Sequence, residues 1–282
     1  MSKKQRIISI CIIGIILLVL LVGIIAIGFD EPKHETIKEL MRDAVLHDKN
    51  KISLFGLIDV NPGLIAAFTV TGIITVFALI MRIFVIPKFK DVPRGIQVLL
   101  EEAVGFFSNL AKSNSPHHNH FLGAFLFTAG AYIFIGTMFE LLGLQAVTTE
   151  GHSVALPAPL SDINGAIAMG FFTYGVILFG GLVNSGMKGF FSALKDFSLP
   201  ISMSFRLFGA LLSGLLVTEM VYYFTPLSFV LPVLVGMIFT CLHALIQTYV
   251  LTMLAAMFYG EASEHPKKKK IKKSKAEITA AK

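Results

Sequence analysis

Hydrophobic positions along this chain come in long unbroken blocks, not in the alternation of strands or the single stripe of a soluble helix. The first block covers residues 7–29, behind the basic start Ser2-Lys-Lys-Gln-Arg6. At about 23 residues it can cross roughly 30 Å of hydrocarbon, and it exceeds a signal-peptide core of about 7–15 residues. No small-x-small cleavage site follows, so the pattern favours a retained anchor over a cleaved signal. Further blocks predict spans near 64–86, 121–144, 163–183, 199–224 and 229–259, making six. Asn61-Pro62-Gly63 supplies a helix start for the second. Pro226 and Pro232 bracket a turn that makes the last two spans a long hairpin. The sixth, at about 31 residues, is too long to stand upright and implies tilt or a bend.

The stretches between the blocks carry their own patterns. Residues 30–59 are polar and predict a short helix over 35–46 and a turn. Over 92–110, Ile96, Leu99, Leu100, Ala103, Val104, Phe107 and Leu110 recur at helical spacing. That segment is too polar to cross, and we expect it along the membrane interface. Residues 184–197 read as a short loop, and 148–160 as a loop without Lys or Arg. The expectation is an all-α polytopic membrane protein of about six transmembrane helices plus one interfacial helix, the last two spans a long tilted hairpin. Its parts are an anchor (1–29), an external loop (30–60), a main membrane domain (61–265) and a basic tail (266–282).

Composition agrees: 55% of residues are apolar and 15% charged, and mean hydropathy is +0.75. A soluble enzyme domain is excluded. Much of the net charge of +6 lies in Lys267–Lys275. Such a run can bind nucleic acid; beside a span it reads more simply as a cytoplasmic tail facing anionic lipid. Arg82, Lys88, Lys90 and Arg94 place the far end of the second span inside by the same rule, and both termini with it. Residues 30–59, with five Lys/Arg, fit an outside location least well. Cys11 and Cys241 fall within apolar runs and offer neither a disulfide framework nor a zinc spacing. His117, His118 and His120 invite a metal reading, but no neighbouring carboxylate or cysteine joins them, and a solvated loop is the simpler account. No metal or cofactor is expected.

One residue resists the bland account. Arg206 lies in a span whose only other charge is Glu219. Its guanidinium cannot shed its proton, and at a helix centre it costs about 2.5–3.5 kcal/mol on insertion scales. Snorkelling to the headgroups is one explanation; a functional partner is the other. Arg206 and Gln247 stand almost equally far from Pro226 on the two arms of the hairpin, hence at similar depth. His243 is one turn from Gln247, and Glu219 is about 20 Å beyond Arg206 toward the outer end. Glu140 closes the third span, while Asp162 and Asn164 open the fourth. Capping explains Asp162; lining a polar inlet is the alternative. Likewise, Glu219 can snorkel, and His243 can be packed between helices. Titratable groups leading to a permanent cation describe an aqueous path that stops, which is the chemistry of ion translocation.

The motif Pro200-Ile-Ser-Met-Ser-Phe-Arg-Leu-Phe-Gly209 resembles the signature of subunit a of the F-type ATP synthase. Ser213-Gly214, Gln247 and Ala262-Ser-Glu-His265 extend the likeness, as do residues 90–102, Leu141-Leu-Gly-Leu144 and residues 157–164. The resemblance implies a stator half of a proton channel in a bacterial inner membrane, not catalytic by itself. Its implied partners are a ring of c subunits, the b-subunit peripheral stalk, the catalytic head and membrane lipid, with no nucleic acid. Arg206 would stand between two half-channels, with Gln247 orienting it. The sequence departs from the family pattern at Ala210, Leu215, Glu140 and Ser192; Glu219 stands one turn beyond Leu215, where an acid is usual. A secondary transporter would carry internal repeats or paired broken helices, and none is found; a membrane scaffold is the other rival class.

Overall fold

The computed structural model describes residues 52–54, 58–147, 153–223 and 231–264. The expected first span, the helix over 35–46, the turn at Pro226 and the basic tail lie outside the described residues.

Two strands, β1 (Ile52–Leu54) and β2 (Ile58–Val60), form an antiparallel hairpin. Helix α1 (Pro62–Ile80) follows, opened by Asn61 as N-cap with proline in the first turn, where its missing N–H costs nothing. It runs on through a π turn (Met81–Val85) and a 3-10 turn (Ile86–Lys88). The amphipathic segment is α2 (Ile96–Asn114). It starts four residues later than the apolar pattern suggests, because Gly95 at φ 61° sets a left-handed break before it. Helix α3 (Asn119–Phe139) passes into a 3-10 turn (Glu140–Leu142), then strands β3 (Gln145–Val147) and β4 (Ser153–Ala155) pair antiparallel. Three-residue hairpins are too short to leave an alternating signature, and the sequence reading missed both.

Helix α4 (Ile163–Lys195) corrects the loop expected over 184–197. The helix breaks at Gly186, whose φ 63° and ψ −152° suit glycine alone, and resumes through Lys195. Helix α5 (Ser198–Tyr223) and α6 (Leu231–Ser263) are the two arms of the expected hairpin. Among the described residues five helices are long and apolar enough to cross a membrane. The protein is an all-α polytopic membrane protein, with many large apolar side chains, such as Phe68, Phe77 and Ile83 on the first of these spans, left to face lipid.

The chain divides into two compact units. The first takes its described residues from Met1–Phe84, Ala131–Ala166 and Phe205–Thr248; the second takes them from Val85–Gly130, Ile167–Ser204 and Tyr249–Lys282. In the first unit, Ala66, Val70 and Phe139 are buried with Ile52 and Leu156, so the hairpins pack on α1 and α3. The second has the larger core, including Leu122, Leu126, Ile177, Met203, Ala256 and Tyr259. Helices in it touch through small residues. Side chains at Gly180, Gly189 and Gly260 would collide with the Tyr259 ring, the Gly181 and Ala262 carbonyls, and the Asn114 carbonyl respectively. Without a hydrophobic force between helices in lipid, such close backbone packing is what holds spans together.

Candidate functional site

Arg206 owes its place to α5. The helix starts at Ser198, with Pro200 in the first turn, and the Ser204 hydroxyl donates back to the Pro200 carbonyl (2.7 Å). Leu199, Met203, Leu207 and Leu211 recur every four residues and are all buried, which fixes the helix face turned inward. Arg206 falls off that stripe and is exposed, as are Gly209 and Ser213. Gly209, Leu212, Ser213, Leu216, Val217 and Met220 line an open groove of about 310 Å³ that continues the line of Arg206 along the helix. A Cβ at Gly209 or Gly214 would meet nothing within 4 Å. Among the described side chains, Arg206 has no hydrogen bond or ion-pair partner.

On α6, Thr240, Ala244, Gln247 and Leu251 form a buried stripe, with Gln247 only 4% exposed. Leu242, Leu245, Ile246 and Tyr249 make the exposed face. Gln247 is therefore packed inward while Arg206 is open. His243 is half-buried; its ring stacks on Phe239 (5.9 Å, 20°) and its Nδ1 lies 2.8 Å from the Phe239 carbonyl. A carbonyl only accepts, so Nδ1 is the donor in this contact. The backbone of Glu219 lies within α5, about 140° round the helix from Arg206 at 100° per residue. Glu140 is half-buried and begins the 3-10 turn that ends at Gly143, whose φ is 58°.

Asp162 is a cap. One carboxylate oxygen accepts from the Asn164 N–H (3.0 Å) and from its side-chain amide (3.3 Å); the other accepts from the Asn61 amide (3.0 Å). Asn61 in turn caps α1 through the Gly63 N–H (3.2 Å). The starts of α1 and α4 are thereby tied by one acid, and Asn164 remains exposed beside it. Asn61 was legible only as a helix start; its bond to Asp162 had no sequence signal.

The histidine cluster also acquires a carboxylate from afar. Glu264 accepts from the Ser115 hydroxyl and the His117 backbone N–H, both at 3.0 Å. Burial pushes this carboxyl up, but those two donors and the charges of His117 and His118 outweigh it and hold it below its usual range. No grouping of three His, Cys, Asp or Glu among the described residues could hold a metal ion.

Helices long and apolar enough to cross a membrane, an exposed guanidinium without a partner among the described side chains and a buried amide on the next helix define a polytopic membrane protein with a fixed charge in one of its spans. The model of one family, described as ATP synthase A chain, matches residues 65–260, and the chain belongs to that family. It is a subunit of the ATP synthase membrane sector, as the arginine motif led us to expect, and its partners are other subunits of that enzyme.

Proposed function

We propose that this chain is the stator half of the proton channel, with Arg206 facing a rotating ring of c subunits. The observation that carries the reading is the exposed Arg206 at the head of the groove running from Gly209 to Met220, on a helix whose neighbouring stripe, Leu199 to Leu211, is buried. A helix can approach such a glycine- and serine-lined face closely. A guanidinium there, without a partner among the described side chains, suits an anionic partner from another chain. A ring carboxylate passing within about 4–6 Å of it would have its pKa lowered by about 1–3 units and give up its proton. The same fixed charge then repels a proton taking the short way through.

In this reading Glu219, His243 and Glu140 handle protons in an outer half-channel. His243 supports that role through its place one turn from Gln247 on the same helix. Gln247, buried on the neighbouring arm, orients the hairpin around Arg206. Asp162 and Asn164 stand at the mouth, where the capping bonds favour a framework role. The b-subunit stalk and catalytic head complete the assembly, in a bacterial inner membrane with both termini cytoplasmic. ATP-driven proton pumping in inverted vesicles tests the core of this. Arg206→Ala should abolish pumping while the ring still co-purifies. Undiminished pumping would return Arg206 to snorkelling.

A further inference from the structure

The C-terminal end of α6 is fastened more elaborately than a helix end requires. On one side, Glu264 accepts from the buried Ser115 hydroxyl and the His117 N–H, both at 3.0 Å. The Ser115 N–H itself closes α2 on the Ala111 carbonyl at 2.8 Å. Gly260 lets the helix lie against the Asn114 backbone beside this tie. On the other side, the Ser185 hydroxyl donates to the Ser263 carbonyl (2.8 Å) and the Asn184 amide donates to the Tyr259 phenol oxygen (3.1 Å). A carboxylate is the wrong charge for a helix C-terminus, where the macrodipole favours cations. Glu264 is therefore not explained as a cap, and its two converging donors bind it to a different element, the turn between α2 and α3.

We propose that Glu264 is a positioning residue for ion transfer: it sets the rotation and axial position of α6, and so the setting of His243 and Gln247 on that helix. This rests on the stator reading above, and Glu264 itself touches no ion. An α-helix transmits a twist at one end along its length, because every side chain keeps its 100° step from the last. Small displacements matter at the transfer site: a shift of about 1 Å can cost about a hundredfold in rate.

The test uses the full ATP synthase in inverted vesicles, with ring co-purification and thermal stability measured beside ATP-driven pumping. Glu264→Ala should lower pumping about tenfold in assembled, normally stable complexes. Glu264→Gln, whose amide oxygen can still accept both bonds, should recover most of it. Ser115→Ala removes one donor and should fall between, and the double variant with Glu264→Ala should be no worse than Glu264→Ala alone. Wild-type pumping in Glu264→Ala overturns the proposal, and so does a Gln variant as poor as Ala. If Glu264→Ala fails to assemble, Ser115→Ala decides: reduced pumping supports the tie, and wild-type pumping overturns it. Arg206→Ala in the same preparation separates the two readings. Undiminished pumping there defeats the stator assignment itself, whereas its loss beside normal Glu264→Ala pumping defeats only the role of Glu264.

Discussion

The two units of this molecule satisfy their helices in opposite ways. In the second, small residues bring backbones into contact, and side chains close the remaining gaps: Tyr259 against Gly180 and Asn184, Ser185 on the Ser263 carbonyl, Glu264 on Ser115 and His117. In the first, the lengths of α5 and α6 it contains leave Arg206, Gly209, Ser213, Leu242 and Ile246 exposed, and a Cβ at Gly209, Gly214 or Gly236 would touch nothing. Small residues occur in both, so their presence alone does not mark a finished interface. What differs is whether something is already against them. The second unit has its close backbone contacts made; the first leaves exposed a face that, on the proposed reading, a c-subunit ring would cover.

The largest expected effect breaks that contrast directly. Gly189→Val puts a side chain into the Gly181 and Ala262 carbonyls, neither of which can move without its helix. It should exceed the about 1–3 kcal/mol of ordinary overpacking and remove most folded protein, read as detergent-solubilised yield and thermal midpoint. Gly209→Val meets nothing within 4 Å, and valine is a somewhat better helix former than glycine. It should leave yield and midpoint intact, yet cut pumping to about a tenth or less by filling the face a ring helix must approach. Equal loss of folding in both variants would erase the distinction between the units.

How much of this was readable in advance follows the same division. The spans were legible because hydrocarbon demands long apolar runs, and Arg206 because an unsheddable charge inside one is costly. Asn61-Pro62-Gly63 announced the start of α1 by local capping chemistry alone. The helix after Gly186 was not legible: a glycine in a polar-flanked stretch looks the same whether it ends a helix or bends one. The two hairpins were too short to show alternation. Glu264 was legible only as part of a family-like ending, since its partners lie 149 and 147 residues away and no local pattern points to them. Asp162 was half legible, as a cap but not as the bridge to Asn61, 101 residues earlier.

Asp162 sharpens the comparison at a smaller scale, because it is a scaffold bond inside the unit that carries the open face. Asp162→Ala removes the cap of α4, a loss of about 1 kcal/mol, and leaves the Asn61 amide without its acceptor. The thermal midpoint should drop slightly, while pumping per assembled complex stays unchanged. A collapse of pumping at normal stability would move Asp162 from framework to ion path.

The smallest effect concerns the tie at Glu264 and its dependence on pH. Its carboxyl is held below the ordinary value of 4.5, with burial opposing and the His117 N–H, the Ser115 hydroxyl and the neighbouring His117 and His118 charges prevailing. A carboxylate whose folded pKa is depressed contributes stability that is fully present above its unfolded value and is lost as pH falls through the folded one. The tie is therefore at full strength throughout the neutral range and weakens only in acid, below the usual carboxylate range of about 4.3. Hydrogen exchange at the His117 amide reads this without any transport assay. Corrected for intrinsic chemistry, its protection should be flat from about pH 8 to pH 5 and fall only below the ordinary glutamate range. Glu264→Gln should keep part of that protection and lose its acid dependence, because an amide oxygen accepts the same bond but does not titrate. A fall in protection already well above the ordinary glutamate range would mean that a group other than this carboxylate governs this end of α6.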